Sequence, residues 1–307
     1  MQYKLSKNRM IEVLPYSRSW LLGNSNKTKA LEPRKADEEL LVDEIKGIRA
    51  EHPFWGYRRI WAWLRYQMGY NRLNRKKVYR VMEKCGLLQE QTKKKAPRKP
   101  SGSKPKADRP NQWWGIDMTK VLVNNWGWVY VVVVMDWYTK KILGHYLGLQ
   151  AKAKHWLEAL NIAVENACPN GCRGMGIKLM SDHGSQPTAT RFMRECGLLG
   201  IEQVFTSYNN PKGNADTERL IRTLKEEFFW RKDWDNLFEL VAEFKKFVEE
   251  YHERYPHSTL DYLSPNEFER RWAEKQATSV PQDQFFEVDE GFDTWVNQDS
   301  RELALVG

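Results

Sequence analysis

The sequence predicts a small all-α module followed by a mixed α/β layer fold. Helical periodicity runs through residues 37–84, and a stretch at 93–106 rich in Lys, Pro, Gly and Ser is nearly free of apolar side chains. Beyond it, three strand-like apolar runs give way to alternating helix and strand. A chain of 307 residues suffices for one sizeable core and a smaller domain.

Residues 37–50 place Leu40, Leu41, Ile45 and Ile48 at helical spacing, behind an acidic start that suits a helix N-terminus. Pro53 and Gly56 break this helix, and Ile60, Trp61 and Leu64 begin a second. A third is expected over 75–84, with Asn74 as N-cap, Gly86 as the stop and Val78, Val81 and Met82 as its apolar face. Three short helices with a basic last one read as a helix-turn-helix-like DNA-binding module. Its candidate DNA contacts are Tyr57, Arg58, Arg59, Arg75, Lys76, Lys77 and Arg80. A plain helical bundle with a solvated basic face is the competing reading.

Past the linker, residues 113–121, 128–135 and 141–149 read as strands. Turn signals at Asn124-Asn125 and Tyr138-Thr139 make them an antiparallel meander. Helix is expected over 153–167, strand over 177–181, helix over 189–196 and strand over 201–206. A loop at 211–213 precedes a long helix over 214–229, and a last helix spans 237–254. Trp113, Trp114, Trp126 and Trp128 read as core or sheet-face packing.

Charge sharpens the division. Residues 1–110 carry 27 Lys and Arg against 11 Asp and Glu, whereas residues 111–307 carry 22 against 29. Basicity concentrated in the first third points to a polyanionic partner, nucleic acid above all. The longest apolar run, 129–135, is strand-sized, and no signal-peptide core follows Met1, so a cytoplasmic protein is expected. Cys85, Cys168, Cys172 and Cys196 suggest no disulfide framework. Cys168 and Cys172 lack the second Cys or His pair that a structural zinc site needs.

Three acids stand where phosphodiester chemistry would use them. Asp117 interrupts the apolar run WWGIDMT, where an unpartnered aspartate is costly and calls for a partner or a metal. Asp182 closes a strand and is followed by His183-Gly184-Ser185, at the end of a sheet where ligands tend to bind. Glu218 lies in the first turns of the long helix, with Arg222 and Lys225 on the same face. Clustered carboxylates suit hard divalent cations, and a pair of such ions suits strand cleavage. Asp136 is a rival ligand but reads as the cap of its turn, and His183 reads as a loop hydrogen-bonding residue rather than a base.

These residues sit in an ordered set of motifs: HPFWGYRRIWAWLR, WWGIDMTKV, DHGSQ, PKGNADTERLIRTLKEE with its Lys225, and YHERYPHSTLDYLSPNEF. The set resembles the integrase-core DDE recombinases, and most closely the OrfB transposases of the insertion-sequence-three family. That resemblance implies an RNase H-like mixed sheet flanked by helices, with Asp117, Asp182 and Glu218 as catalytic metal ligands. It implies two Mg²⁺ ions (Mn²⁺ as substitute), and Lys225 touching DNA near the scissile phosphate. The expected partners are the terminal repeats of an element and target DNA, with a homo-oligomer on DNA and an OrfA partner or fusion, and nucleoid association when bound. Pro187 stands where the family commonly has an aromatic residue, and residues 276–307 match no family motif. The first helix-turn-helix is expected in an upstream OrfA frame, with residues 14–21 as a remnant of the junction.

The resulting organisation is a helical DNA-binding domain at 1–92, a basic linker at 93–108, an RNase H-like catalytic core at 109–275 and an acidic extension at 276–307. Two other readings stay open: a non-catalytic DNA-binding regulator, or partial OrfB product, and an RNase H-type nuclease, which the basic helical module disfavours.

Overall fold

The computed structural model describes residues 31–89, 105–206 and 213–279. The stretch at 14–21, most of the linker and most of the acidic extension lie outside them. In the N-terminal unit, α1 (Leu31–Glu51), α2 (Tyr57–Tyr66) and α3 (Arg75–Lys84) bury Leu41, Ile45, Ile48, Ile60, Leu64, Val78, Val81 and Met82. The second helix begins at Tyr57 rather than Ile60, directly after the extended Gly56. Asn74 caps α3 as expected, its side chain accepting the Lys76 N–H at 2.8 Å.

The second unit is built on a five-stranded sheet. Its strands are β1 (Trp113–Val123), β2 (Gly127–Asp136), β3 (Ile142–Gly148), β4 (Lys178–Ser181) and β5 (Glu202–Phe205), in the order β3-β2-β1-β4-β5. The first three pair antiparallel as a meander, and β4 and β5 join parallel to β1. Strand alternation divides the apolar side chains between two layers. Trp114, Ile116, Val132 and Val134 face one layer, with α4 (Ala153–Ala167) and α5 (Thr190–Leu199). Val121, Val123, Val129, Val131 and Val133 face the other, with α6 (Ala215–Leu224) and α7 (Leu237–Arg254). Trp126 and Trp128 depart from the packing expected of them. They are 38% and 49% exposed at the end of the β1–β2 hairpin, and the Lys120 ammonium rests 4.4 Å from the Trp128 ring centre.

The helix expected over 214–229 divides in two. After α6 the backbone widens into a π-helix over Lys225–Phe229. Glu227, Phe228 and Phe229 are consecutive and all buried. Glu227 faces the helical unit, while Phe228 and Phe229 pack with Trp234 and Phe244. A further helix, α8 (Pro265–Ser279), was not foreseen and runs past residue 275. Its signature is legible afterwards: Ser264 and Glu267 sit at capping-box spacing around Pro265 at the first helical position, and the Glu267 N–H donates to Ser264 Oγ at 3.4 Å.

The two units share one continuous hydrophobic cluster. At their joint the buried Glu227 carboxylate accepts the Trp55 indole N–H at 2.8 Å and lies 3.0 Å from His52 Nδ1, while the His52 and Trp55 rings stack at 3.8 Å. A buried carboxylate loses water on both oxygens, so each partner matters. Trp55→Phe keeps the ring and deletes the donor. It should lower unfolding free energy by about 1–3 kcal/mol in chemical denaturation, and an unchanged midpoint and slope would show that the joint carries no energy.

Candidate active site

Asp117, Asp182 and Glu218 come from three elements that meet at one end of the sheet. Asp117 lies on β1 beyond its last pairing with β4, Gly115 with Met180. Asp182 directly follows β4, and its Oδ1 accepts the Gly184 N–H at 3.0 Å, closing the local turn. Glu218 stands in the first turn of α6.

What sets Glu218 against β1 is the seat of α6. Gly115 is two residues from Asp117, and a Cβ there would overlap Thr217 Oγ1 and Trp137 Nε1. With no side chain in the way, Trp137 Nε1–H donates to Thr217 Oγ1 at 3.1 Å in a buried contact. Asn214 Nδ2 donates to the Ile116 carbonyl at 3.4 Å, and Lys140 Nζ lies 3.4 Å from Asp216 Oδ2. Residues 214, 216 and 217 therefore tie the start of α6 to β1 and to the β2–β3 turn, and Glu218 follows. The sequence reading passed over these residues; a glycine inside a strand marks close backbone approach and was the available signal.

Charge converges on Asp117. Burial pushes its carboxyl up to about 6; the Met118 N–H on Oδ1, at 2.7 Å, and the Lys225 charge pull it down, while Asp182 and Glu218 push it further up. The three acids are thus electrostatic neighbours. They are not yet at ligating distance: among the described residues no three Asp, Glu, His or Cys side chains stand close enough to hold one ion. Asp182 and Glu218 are exposed and Asp117 is half-buried.

The other candidates separate. Asp136 is saturated by its turn, accepting from the N–H groups of Tyr138 at 2.9 Å and Asn111 at 3.2 Å and from Thr139 Oγ1 at 3.0 Å. His183 rests its ring against Phe205, with centroids 5.0 Å apart. Pro187 is buried, and its carbonyl accepts from Gln203 Nε2 at 2.7 Å, pinning the second motif to β5. Burial pushes the thiols of Cys168 and Cys196 up, to about 11 and about 12, which keeps them protonated. Arg75, Lys76 and Arg80 are exposed on α3, Arg58 is exposed on α2, Arg222 is exposed on α6, and Tyr57 and Lys77 are half-covered. Arg59 is half-covered, its guanidinium 5.1 Å from the centre of the buried Tyr255 ring.

Comparison with known proteins identifies the class. Residues 107–211 and 199–265 match integrase core domains, and residues 35–96 match an HTH-like domain. The chain carries an integrase core, the α/β core of a polynucleotidyl-transferase-type enzyme, behind an HTH-like domain. More particularly, it is homologous to the Escherichia coli transposase InsD for insertion element IS2A/D/F/H/I/K, 25% identical over 275 residues, covering 88% of this chain and 89% of that protein. InsD for IS2-9 of E. coli strain K12 is likewise 25% identical, covering 88% of this chain and 87% of its own. Among solved structures, the catalytic core domain of BIV integrase aligns at 16% identity with a TM-score of 0.39, covering 54% of this chain and 99% of that one.

Two outcomes follow from the geometry. Gly115→Ala should cost about 1–3 kcal/mol, because the added methyl forces α6 off its seat; a denaturation midpoint equal to that of the parent would refute the close approach. Asp117 binds a proton more readily folded than unfolded, so without divalent ions stability falls as pH rises from about 4 to about 6 and stays lower above that. In chelator at pH 7, Asp117→Asn should therefore stabilise the protein by on the order of 1–3 kcal/mol. A destabilised variant, or a gain that persists at pH 4, would contradict this.

Proposed function

We propose that Asp117, Asp182 and Glu218 are the divalent-metal ligands of a DDE transposase that cuts and rejoins DNA strands. The observation that carries the reading is the Asp117 carboxyl, raised to about 6 by burial and by the charges of Asp182 and Glu218, with Lys225 the opposing cation. An all-oxygen, triply anionic donor set fits Mg²⁺, with Mn²⁺ as substitute. Integrase-type DDE domains generally use divalent ions; in this reading two are held here, supplying activation of the attacking oxygen and stabilisation of the leaving one.

The rest of the chemistry belongs to the protein's own groups. Lys225 and Arg222, on the exposed face of α6 and its π-helical continuation, hold the phosphates of the reacting strand. Hydrolysis of one phosphodiester frees a 3′-hydroxyl at the element end, and that hydroxyl attacks a second phosphodiester in target DNA, joining to its phosphorus as the target strand's own 3′-oxygen leaves and takes up a proton. No covalent protein intermediate is needed. Arg58, Arg75, Lys76, Lys77 and Arg80, with Tyr57, line the DNA-facing side of the helical domain, and the terminal repeats are its ligand.

In this reading the chain comprises a helical domain at 1–92, a linker at 93–108, a catalytic core at 109–275 and an extension at 276–307. It works as a homo-oligomer on DNA, with an OrfA product as partner or fusion, at the nucleoid. Among the described residues no helix is long and apolar enough to cross a membrane. Asp117→Asn, Asp182→Asn and Glu218→Gln should each reduce strand cleavage to background while DNA binding survives. The assay is metal-dependent nicking of element-end duplexes beside a gel-shift measurement, and two of the three variants still cutting would overturn the assignment.

A further inference from the structure

We propose that Trp230 is a stacking platform for an unpaired nucleobase of the DNA end engaged beside Lys225. The inference deepens the active-site reading and rests on it. It begins from the contrast between Trp230 and its neighbours. Phe228, Phe229 and Trp234 are 8%, 2% and 3% exposed, whereas Trp230 is 65% exposed, so the aromatic core is complete without it. Leaving an indole in water forgoes a large burial term, and its open face is available to a ligand that has a flat apolar face of its own.

The π-helix gives Trp230 its direction. In an α-helix, at about 100° per residue, Trp230 would point roughly 140° away from Lys225. In a π turn of roughly 4.4 residues the five-residue separation brings it within about 50°. The defining bond of that turn is present, with Trp230 N–H donating to the Lys225 carbonyl at 2.9 Å. The Lys225 ammonium accordingly lies 5.9 Å from the Trp230 ring centre. Lys225 in turn acts on the Asp117 carboxyl. One run therefore leads from Asp117 through a cation to an exposed aromatic face, at a helix end whose next residue is the exposed Arg231.

That combination matches one ligand chemistry: a phosphate on the cations with its base laid flat on the ring. A base within intact duplex cannot reach the ring, since its faces are covered by its neighbours; a terminal or unpaired base can. The strand end that the proposed reaction creates offers such a base. Trp230 is then a substrate-positioning group that holds the end while the sugar–phosphate meets the carboxylates.

The test uses the full chain and short duplexes with either a frayed or a fully paired terminus, carrying 2-aminopurine in the last two nucleotides. The parent should quench the frayed-end fluorophore and bind that duplex more tightly than the paired one. Trp230→Ala should lose the quench and roughly ten-fold or more of frayed-end affinity. Trp230→Phe should keep most of both, and the helical circular dichroism of both variants should match the parent because the side chain is outside the core. Equal frayed-end affinity and equal quench in the parent and Trp230→Ala would overturn the proposal. Measured in an Asp117→Asn background, the readout is independent of cutting. Cleavage by Asp117→Asn together with a second of the three variants would thus sink the carboxylate assignment, while the fluorescence alone decides the stacking site.

Discussion

The close approach of α6 to β1 at Gly115 is the constraint on which the rest of the candidate site depends. Asp117 is fixed by the sheet, but Glu218 has no strand to hold it. Its position relative to Asp117 is set by how near a helix can come to a strand, and a glycine lets Thr217 and Trp137 meet across that gap. Asn214 and Asp216 add one polar tie on each side of the same turn. The strand supplies the first acid and the seat that aims the third.

A second constraint comes from the far end of the same helix. Glu227 is buried against His52 and Trp55 of the helical unit, only two residues beyond Lys225. The helix carrying Glu218 and Lys225 is therefore anchored at its start by the sheet and at its end by the helical unit. The second anchor, Glu227, lies within the π turn itself. Charge runs against stability at the sheet end: burial first, and then the charges of Asp182 and Glu218, raise the Asp117 carboxyl. Sites that store such cost are where function is to be sought.

Much of this was legible in the sequence because it rests on local periodicity and turn chemistry. The meander of β1 to β3, the Asn74 cap and the alternation after β3 all follow from apolar spacing and the residues that break it. The candidate acids were legible from their motifs. What escaped were relations between distant segments. The π turn buries Glu227, Phe228 and Phe229 against partners from both units, which no local pattern announces. Arg59 looked like another basic residue of the DNA-binding face, yet it lies over Tyr255, a partner nearly two hundred residues away. Trp126 and Trp128 are partly exposed at the end of the hairpin, Trp126 edge-on to Phe238 and Trp128 beneath Lys120, contacts that apolar spacing does not announce. The helix α8 is a different kind of miss, since Ser264, Pro265 and Glu267 spelled out its start.

The central claim is that Asp117, Asp182 and Glu218 close around divalent cations. Crystals of the full chain soaked in Mn²⁺ and measured at the manganese absorption edge test it most directly. The account predicts anomalous density between these three carboxylates, with Asp182 and Glu218 turned in toward Asp117. Manganese bound only elsewhere, with the three carboxylates still apart, would contradict it.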